Sequence, residues 1–284
     1  INPGTLNPTD ENSLLEYQST QKEKGLENAI YIADNIILNK KLSVNIGVRF
    51  SSFTALGAST QREYSPNAPL NDQNVVNEIT FKNNEAIKTY NGFEYRIALR
   101  QLLTETISLK LGYDTNYQYL HKLSTNTTQS PTDTWKLADL NIKPTYGQQI
   151  SLGIFKNFND LPYEISLESY YKKSSNFLDY KIGAELILND HIETEVIQGE
   201  GKAYGIELLI KKTSGRLNGW IGYTYSRTLV KLDSQHVEEV VNNGKYFPSN
   251  FDKPHDLSAI LNYKFTKRYS LSTNFIYQTG KPIT

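Results

Sequence analysis

Apolar and polar residues alternate along about ten segments of this chain, with a repeat of two residues. The clearest segment runs from Ile107 to Tyr119. Except for position 115, its odd positions are apolar or aromatic and include Leu109, Leu111, Tyr113, Tyr117 and Tyr119, whereas its even positions are polar or small. Because successive side chains of a β-strand point to opposite faces, the pattern predicts a strand with one apolar and one polar face.

The alternation predicts ten strands, each about as long as the roughly 10 residues that a tilted strand needs to cross a bilayer. They cover residues 26–38, 41–54, 92–103, 106–120, 146–156, 163–174, 201–213, 217–229, 256–266 and 269–279. Every second connection is short, namely 39–40, 104–105, 157–162, 214–216 and 267–268. The connections between those pairs are long, on the order of 25 to 40 residues, which is uncommon in a compact soluble domain.

The alternation of short and long connections distinguishes between two all-β folds that are both consistent with a two-residue repeat. A soluble antiparallel sandwich also alternates, because its inner face is apolar and its outer face is wet. Outer-membrane barrels join their strands by short periplasmic turns and long extracellular loops in turn. The sequence therefore predicts an antiparallel transmembrane β-barrel. The first strand is the least regular, because both of its faces mix apolar and polar residues.

Composition is consistent with such a barrel and argues against other classes. The chain holds 20 Tyr, and tyrosine near strand ends suits the boundary between hydrocarbon and headgroups. Mean hydropathy is −0.52, and no run approaches the roughly 18 apolar residues of a membrane helix. The formal net charge of +0 argues against nucleic acid as a partner, which requires a basic surface. With no Cys, disulfides and thiolate metal ligands are excluded.

Five motifs occur in the order in which a known family carries them. They are S-P-T-D-x-W at 130–135, E-x-Y-Y-K at 168–172, G-x-G-x-A-Y-G-x-E at 199–207, G-W-x-x-Y-T-x-S-R at 219–227 and D-x-x-H-D at 252–256. From about Leu26 to Thr284 the chain resembles the barrel of TonB-dependent outer-membrane receptors, of the Bacteroidota type. The resemblance is specific because the motifs arrive in combination.

The resemblance implies a barrel of about 22 strands in the Gram-negative outer membrane, closed by an N-terminal plug domain. Residues 1–284 would then be an internal part of one barrel domain, with the plug and the terminal strands outside this chain. Such receptors import a scarce nutrient with energy delivered by TonB, so the implied partners are outer-membrane lipid, the plug and the TonB complex. Open points are the cargo (siderophore-bound iron, cobalamin, an oligosaccharide or a peptide) and whether a surface lipoprotein covers the barrel.

Two other functions stay open at the level of sequence. A passive porin, or a barrel that serves secretion or envelope assembly, would share the strands but would lack energy coupling. A soluble, secreted β-domain that binds glycans would share the alternation but would dissolve in water without detergent. The resemblance and the long and short connections both argue against the soluble domain. The resemblance favours the energised importer over the passive barrel, and a plug with an energy-coupling segment N-terminal to these strands would distinguish the two.

Eleven charged residues occupy polar positions of the predicted strands and would face the lumen of a closed barrel. They are Arg49, Glu94, Arg96, Arg100, Lys110, Asp114, Glu164, Glu168, Lys172, Glu207 and Lys211. Charges cost least where water or a polar plug meets them. Two roles follow: these residues pair across strands and hold the plug, or some of them line the path of the substrate.

The predicted outward loops lie near 55–91, 121–145, 175–200 and 230–254 and carry six aromatic residues that could contact a substrate. These are Tyr64, Tyr90, Trp135, Tyr180, Tyr246 and Phe247. Their rings could stack on sugars, aromatic siderophores or peptide side chains. Equally, they could pack the loops against one another.

No arrangement of residues predicts catalysis, a cofactor or a metal site. The histidines at 121, 191 and 236 lie in separate loops without the spacing of metal ligands. His255 stands beside Asp256 and near Asp252, but this segment has the features of a turn that ends a loop and starts the next strand. The glycines from 199 to 205 lie in a strand pattern, whereas a phosphate-binding loop precedes a helix.

Overall fold

Ten long antiparallel strands, paired in sequence order, make up most of the computed structural model, which describes residues 5–6, 18–19, 22–123, 134–181, 183–184 and 189–282. The strands are β1 Lys24–Asn39, β2 Leu42–Leu56, β3 Ala86–Leu102, β4 Ile107–Gln118, β5 Thr145–Asn157, β6 Tyr163–Tyr180, β7 Val196–Lys212, β8 Leu217–Lys231, β9 His255–Lys264 and β10 Ser270–Gln278. The predicted all-β, antiparallel class is confirmed.

Shorter elements lie before β1 and in the connections between the long strands. Three small hairpins pair Thr5–Leu6 with Gln18–Ser19, Ser59–Tyr64 with Val75–Phe81, and Leu120–Leu123 with Thr134–Leu137, while Phe247–Pro248 pairs with β8. The 3₁₀ helices are Asp72–Asn74, Ile192–Thr194, Val237–Glu239 and Asn242–Gly244. Among the described residues, no helix has the length and apolar character needed to cross a membrane.

Five short links join the long strands in pairs: residues 40–41, 103–106, 158–162, 213–216 and 265–269. Three of these links are closed by a single side-chain oxygen that accepts two backbone amides, at distances of 2.8 to 3.2 Å. The acceptors are Asn39, Thr104 and Thr266, and the amides belong to residues two and three positions further on. Short polar side chains favour turns in this way, so each turn fixes the register of its two strands.

The register of the sheet separates an apolar face from a polar face. A row across the apolar face pairs Leu109 with Ile154 and Ile154 with Leu167. A row across the polar face pairs Gly47 with Arg96 and Arg96 with Asp114. By this register, all eleven charged residues predicted to face a lumen fall on the polar face.

The apolar face is largely exposed. Leu111 is 42% exposed, Leu152 44% and Leu167 48%, and comparable values recur from β1 to β10. A contiguous apolar surface of this kind is typical of contact with lipid or with another protein and is rare on soluble monomers. Buried apolar residues are instead concentrated towards the other connections, in clusters around Phe53 and around Ile142.

The sheet is open in the part of the chain that the structure describes. Strand β1 pairs only with β2, and β10 pairs only with β9. Both edge strands are exposed over nearly their whole length. The ten strands therefore form an open sheet, and a barrel that contains them would need a further partner strand for each of these two edges.

Several strands run further than the alternation predicts. Strand β3 begins at Ala86 instead of at 92, β6 ends at Tyr180 instead of at 174, and β7 begins at Val196 instead of at 201. The reason is that the backbone ladder continues past the apolar band, where neither face needs to be apolar. The predicted loop bounds of 55–91 and 175–200 are therefore wrong, and Tyr180 lies at a strand end.

Strand β4 separates from β3 along its second half. Its ladder with β3 ends at the pair Arg96–Asp114, although its ladder with β5 continues to Gln118. Beyond that point, the amide of Tyr95 donates to the side-chain oxygen of Thr115 at 2.9 Å, in place of a ladder bond. Because this half of β4 is bonded on one side only, it leans across the polar face of β2 and β3.

This lean brings two tyrosines onto the polar face, so the prediction that Tyr117 and Tyr119 belong to the apolar face is wrong. The ring of Tyr117 lies so close to Gly92 that a Cβ on this glycine would be 2.1 Å from it. The Tyr119 hydroxyl shares a hydrogen bond of 2.7 Å with Ser51, and its ring stacks on Phe53 at 4.8 Å. Alternation fails here because it describes neighbours along a strand and cannot register a strand that leaves its ladder.

Candidate functional site

The polar face carries an ion-pair network at the place where β4 leans over β2 and β3. Arg49 donates to Glu94 and to Glu27, each at 2.7 Å. Ser51 also donates to Glu94 at 3.1 Å, as does the amide of Tyr117 at 3.3 Å. The Glu94 side chain is only 9% exposed, and these donors compensate for the removal of its charge from water.

Other predicted lumen residues have weaker contacts or none. Glu164 and Lys211 form an ion pair at 3.0 Å, and the Lys110 ammonium lies 4.2 Å from the centre of the Phe155 ring. The other six make no side-chain hydrogen bond or ion pair with any described residue: Arg96, Arg100, Lys172, Asp114, Glu168 and Glu207. Unpaired charges on this face are suited to contact with a further polar surface or with a ligand.

Two carboxylates of this set face each other directly. Glu168 on β6 is opposite Glu207 on β7. Like charges in opposite positions of neighbouring strands are unfavourable, by up to roughly 1 kcal/mol. Such a pair becomes favourable when a cationic group binds between the two, which makes it a candidate contact for a partner.

Two cavities open beside the polar face. One of about 600 Å³ has Arg49, Glu94, Arg96 and Asp114 among its lining residues. A second, of about 270 Å³, has Arg100, Lys110 and Glu168. The first has the size of a small-molecule site, roughly 300 to 1,000 Å³. The structure thus gathers seven of the eleven predicted residues at two places, while Glu164, Lys172, Glu207 and Lys211 line neither cavity.

The long links contact one another, and we call their described parts, within residues 57–85, 119–144, 181–195 and 232–254, the cap. Tyr64 in the first link donates to Glu193 in the third at 3.0 Å. Lys181 donates to the carbonyl of Leu70 at 3.0 Å and pairs with Glu239 in the fourth link at 3.1 Å. The cap is therefore one cross-linked layer, and the links are not independent loops.

A buried ammonium group lies within the cap. Lys136, whose side chain is 6% exposed, pairs with Asp139 at 2.7 Å and with Glu23, which immediately precedes β1. Burial alone would lower the pKa of Lys136, but the charges of Asp139 and Glu23 raise it above its usual value. Nothing in the spacing of these residues distinguishes them from ordinary surface charges, so the sequence pattern did not identify them.

His121 is buried next to this cluster. It is 4% exposed, it is opposite Lys136 in the hairpin, and its Nε2 has no hydrogen-bond partner among the described residues. Burial lowers the pKa of His121 to about 4. The histidine lines a cavity of about 140 Å³ together with Asp179 and Phe251.

The buried histidine makes the cap sensitive to acid. Its folded-state pKa, about 4, lies below the unfolded value of 6.5, so the unfolded cap takes up a proton first as pH falls. We expect His121 to remove roughly 1.4 kcal/mol of cap stability per pH unit between these two values and nothing above them. Hydrogen exchange of residues 119–123 and 134–144 measures this slope. His121→Gln should flatten it, and an unchanged slope would exclude the histidine as the cause.

Most of the predicted loop aromatics contact protein. Tyr64, Tyr90 and Tyr246 donate hydrogen bonds to Glu193, to the carbonyl of Asp139 and to Glu200, at 3.0, 2.7 and 2.8 Å. Tyr180 packs against the cluster around Ile142, and Phe247 pairs with Val230 in a ladder. Trp135 is 41% exposed. A role in substrate contact stays a prediction for all six.

The segment around His255 makes structural contacts. The Asp252 carboxylate, in a residue only 2% exposed, accepts from the Thr228 amide at 2.6 Å and from Arg227 at 3.0 Å. His255 shares a hydrogen bond of 2.8 Å with Tyr223. Among the described residues, no three His, Cys, Asp or Glu side chains are grouped to hold a metal ion.

The chain belongs to the family described as TonB dependent receptor-like, beta-barrel, whose sequence profile matches residues 2–282. This match confirms the resemblance to TonB-dependent receptors. That family consists of transporters and receptors, in agreement with the absence of a predicted enzyme activity. No curated protein matches the chain by sequence.

Solved structures share the fold at low identity. The FrpB iron transporter from Neisseria meningitidis (F3-3 variant) has a TM-score of 0.58 at 12% identity, over 89% of this chain and 32% of that one. The ferripyoverdine receptor of the outer membrane of Pseudomonas aeruginosa has a TM-score of 0.55 at 14% identity, over 96% and 33%. The FpvAI–pyocin S2 complex gives 0.54 at 15%, over 90% and 29%. This chain spans about a third of the length of these proteins.

Proposed function

We propose that this chain is part of the barrel wall of a TonB-dependent, energy-coupled importer in the outer membrane of a Gram-negative bacterium. The single observation that carries the proposal is the separation of faces in a sheet of this family. An exposed apolar face crosses all ten strands, and a charged face lies behind it. Lipid would cover the first face, and a plug domain would meet the second.

The unpaired charges define where the plug or the cargo would make contact. Arg100 at the smaller cavity and the facing pair Glu168–Glu207 form no ion pair with a described residue. Arg96 and Asp114 at the larger cavity form none either, although they are opposite each other in the β3–β4 ladder. A plug that presents complementary charges at these positions would satisfy them. The Arg49–Glu94 network is already satisfied and would serve as a fixed part of the wall.

The cargo that we propose is a class of nutrient, iron bound to a siderophore. FrpB is an iron transporter, and the Pseudomonas receptor is bound to ferripyoverdine, so siderophore-bound iron is the cargo that the structural neighbours suggest first. Cobalamin, oligosaccharides and peptides remain alternatives. The Bacteroidota type remains a prediction from the quoted motifs, and a surface lipoprotein over the cap remains an open partner.

The test is uptake by cells that carry the full-length protein, in strains with and without a functional TonB complex. Ferric siderophores, cobalamin, oligosaccharides and peptides are supplied in turn as the limiting nutrient. We expect one of these to support growth only when both the protein and TonB are present. Growth that needs the protein but not TonB would favour the passive porin, and a protein recovered in the soluble fraction would exclude a membrane barrel.

A further inference from the structure

The end of the sheet that carries the five short links is strongly basic. We define the basic rim as residues 38–42, 103–106, 156–163, 211–217 and 264–269. It contains nine basic residues and only two acidic ones, Glu105 and Asp160. The chain as a whole has 30 of each, so the remainder is correspondingly acidic. Basic residues are therefore concentrated at this end of the sheet.

Most of the cations on the rim have no internal partner. Six are exposed and make no side-chain hydrogen bond or ion pair with a described residue: Lys40, Lys41, Arg216, Lys264, Lys267 and Arg268. Lys156 and Lys212 donate only to uncharged oxygens, those of Thr106 at 2.7 Å and of Ser214 at 2.8 Å. Lys211 alone among the nine is paired with a described carboxylate, Glu164.

The same rim borders the apolar face with exposed apolar and aromatic side chains. Leu161 is 54% exposed, Phe265 56% and Tyr269 72%. Lys212 lies 5.6 Å from the centre of the Tyr163 ring. Aromatic rings beside lysines, at the edge of an apolar surface, are typical of the level of lipid headgroups. There the hydrocarbon stem of a lysine lies against apolar groups while its ammonium group reaches the lipid phosphates.

The arrangement of the cations fits a lipid leaflet better than a folded acidic partner. Successive short links are separated by two strands, or roughly 10 Å, so the charges form a row along the sheet. If the partner were a folded acidic protein, the basic residues would be expected to form a compact patch. Membranes with anionic lipids attract clusters of Lys and Arg that lie near their surface.

We infer that the basic rim binds the phosphate groups of anionic phospholipids in the leaflet that surrounds it. The inference rests on the proposed function, because it requires the apolar face to lie in a membrane. The free ammonium and guanidinium groups would contact the phosphates, and the neighbouring rings would lie among the glycerol and upper acyl carbons. Attraction of this kind weakens as salt rises.

The test uses the full-length protein in nanodiscs made from a mixture of phosphatidylcholine and phosphatidylglycerol, followed by mild extraction and native mass spectrometry. The rim variant combines Lys40→Gln, Lys41→Gln, Lys264→Gln and Lys267→Gln. The control variant makes the same change at four exposed lysines outside the rim: Lys82, Lys88, Lys143 and Lys245. Both variants lose four charges, so net charge alone does not separate them.

We expect phosphatidylglycerol to be enriched roughly tenfold over phosphatidylcholine on the wild type and on the control, and several-fold less on the rim variant. Equal enrichment on all three proteins, or none on the wild type, would overturn the inference and leave the membrane barrel intact. A protein that enters no nanodisc would instead contradict the proposed function. An acidic polypeptide that is lost from the rim variant while the lipid ratio stays constant would also overturn the inference.

Discussion

Replacing Lys136 with Met is expected to destabilise the cap by about 3–5 kcal/mol, because it leaves the buried carboxylate of Asp139 and the partly buried carboxylate of Glu23 without their common cation. Lys136 is 6% exposed and Asp139 is 7% exposed, so water cannot take the place of the ammonium group. The effect should appear as faster hydrogen exchange in residues 134–144 and at 22–23. The ladders of the ten long strands should keep their protection.

Lys143→Met is the matched control, because Lys143 lies in the same link and is exposed. We expect this variant to change cap exchange by no more than about 0.5 kcal/mol. The double variant Lys136→Met with Asp139→Asn should recover part of the loss, since it removes one of the two unpaired charges. If Lys136→Met and Lys143→Met behaved alike, the buried ion cluster would not be what holds the cap together.

Arginine in place of Leu111 is expected to cost about 2–4 kcal/mol of folding free energy in a bilayer. Leu111 lies on the apolar face and faces Leu99 and Leu152 in adjacent strands. Its exposed side chain would lie in hydrocarbon, where a guanidinium group is poorly solvated. Unfolding of the full-length protein from vesicles by denaturant measures the difference, and Leu109→Arg should behave in the same way.

Lys110→Arg, one residue away on the polar face, should cost little. Its ammonium already lies over the Phe155 ring at 4.2 Å, a position that a guanidinium can also occupy. Comparable losses at 110 and 111 would show that the two faces do not meet different solvents.

The ten-stranded sheet of this protein could be predicted from the sequence because two local signals agree. Alternation assigns the face of each residue, and short polar turns such as the one closed by Asn39 fix the register of neighbouring strands. Both signals depend only on residues close together in the chain. For this reason the strands follow the predicted alternation, except at 26–38, where both faces mix apolar and polar residues, and in the second half of β4.

The cap could not be predicted in the same way. Lys136 and Glu23 are 113 residues apart, and Tyr64 and Glu193 are 129 apart, so no local pattern relates them. The contacts form because antiparallel pairing of consecutive strands places all the long links at the same end of the sheet. Tyr90, which the sequence predicts in a loop, lies in the first part of β3, where its hydroxyl donates to the carbonyl of Asp139 in a neighbouring link. Whether such a ring faces a substrate or a neighbouring link depends on packing that a single sequence does not encode locally.

The second half of β4, which is hydrogen-bonded to a neighbouring strand on one side only, limits which strands could replace it in this sheet. From Ile107 to Tyr113 its odd positions follow the rule for a lipid-facing surface, but from Thr115 onward the same positions contact Tyr95, Gly92 and Phe53 inside the protein. A chimaera that grafts β4 from another barrel, matched by its outward side chains, would therefore be compatible only as far as Asp114. Beyond that residue the donor strand would need small and aromatic residues that pack against the side chains and backbone of β2 and β3.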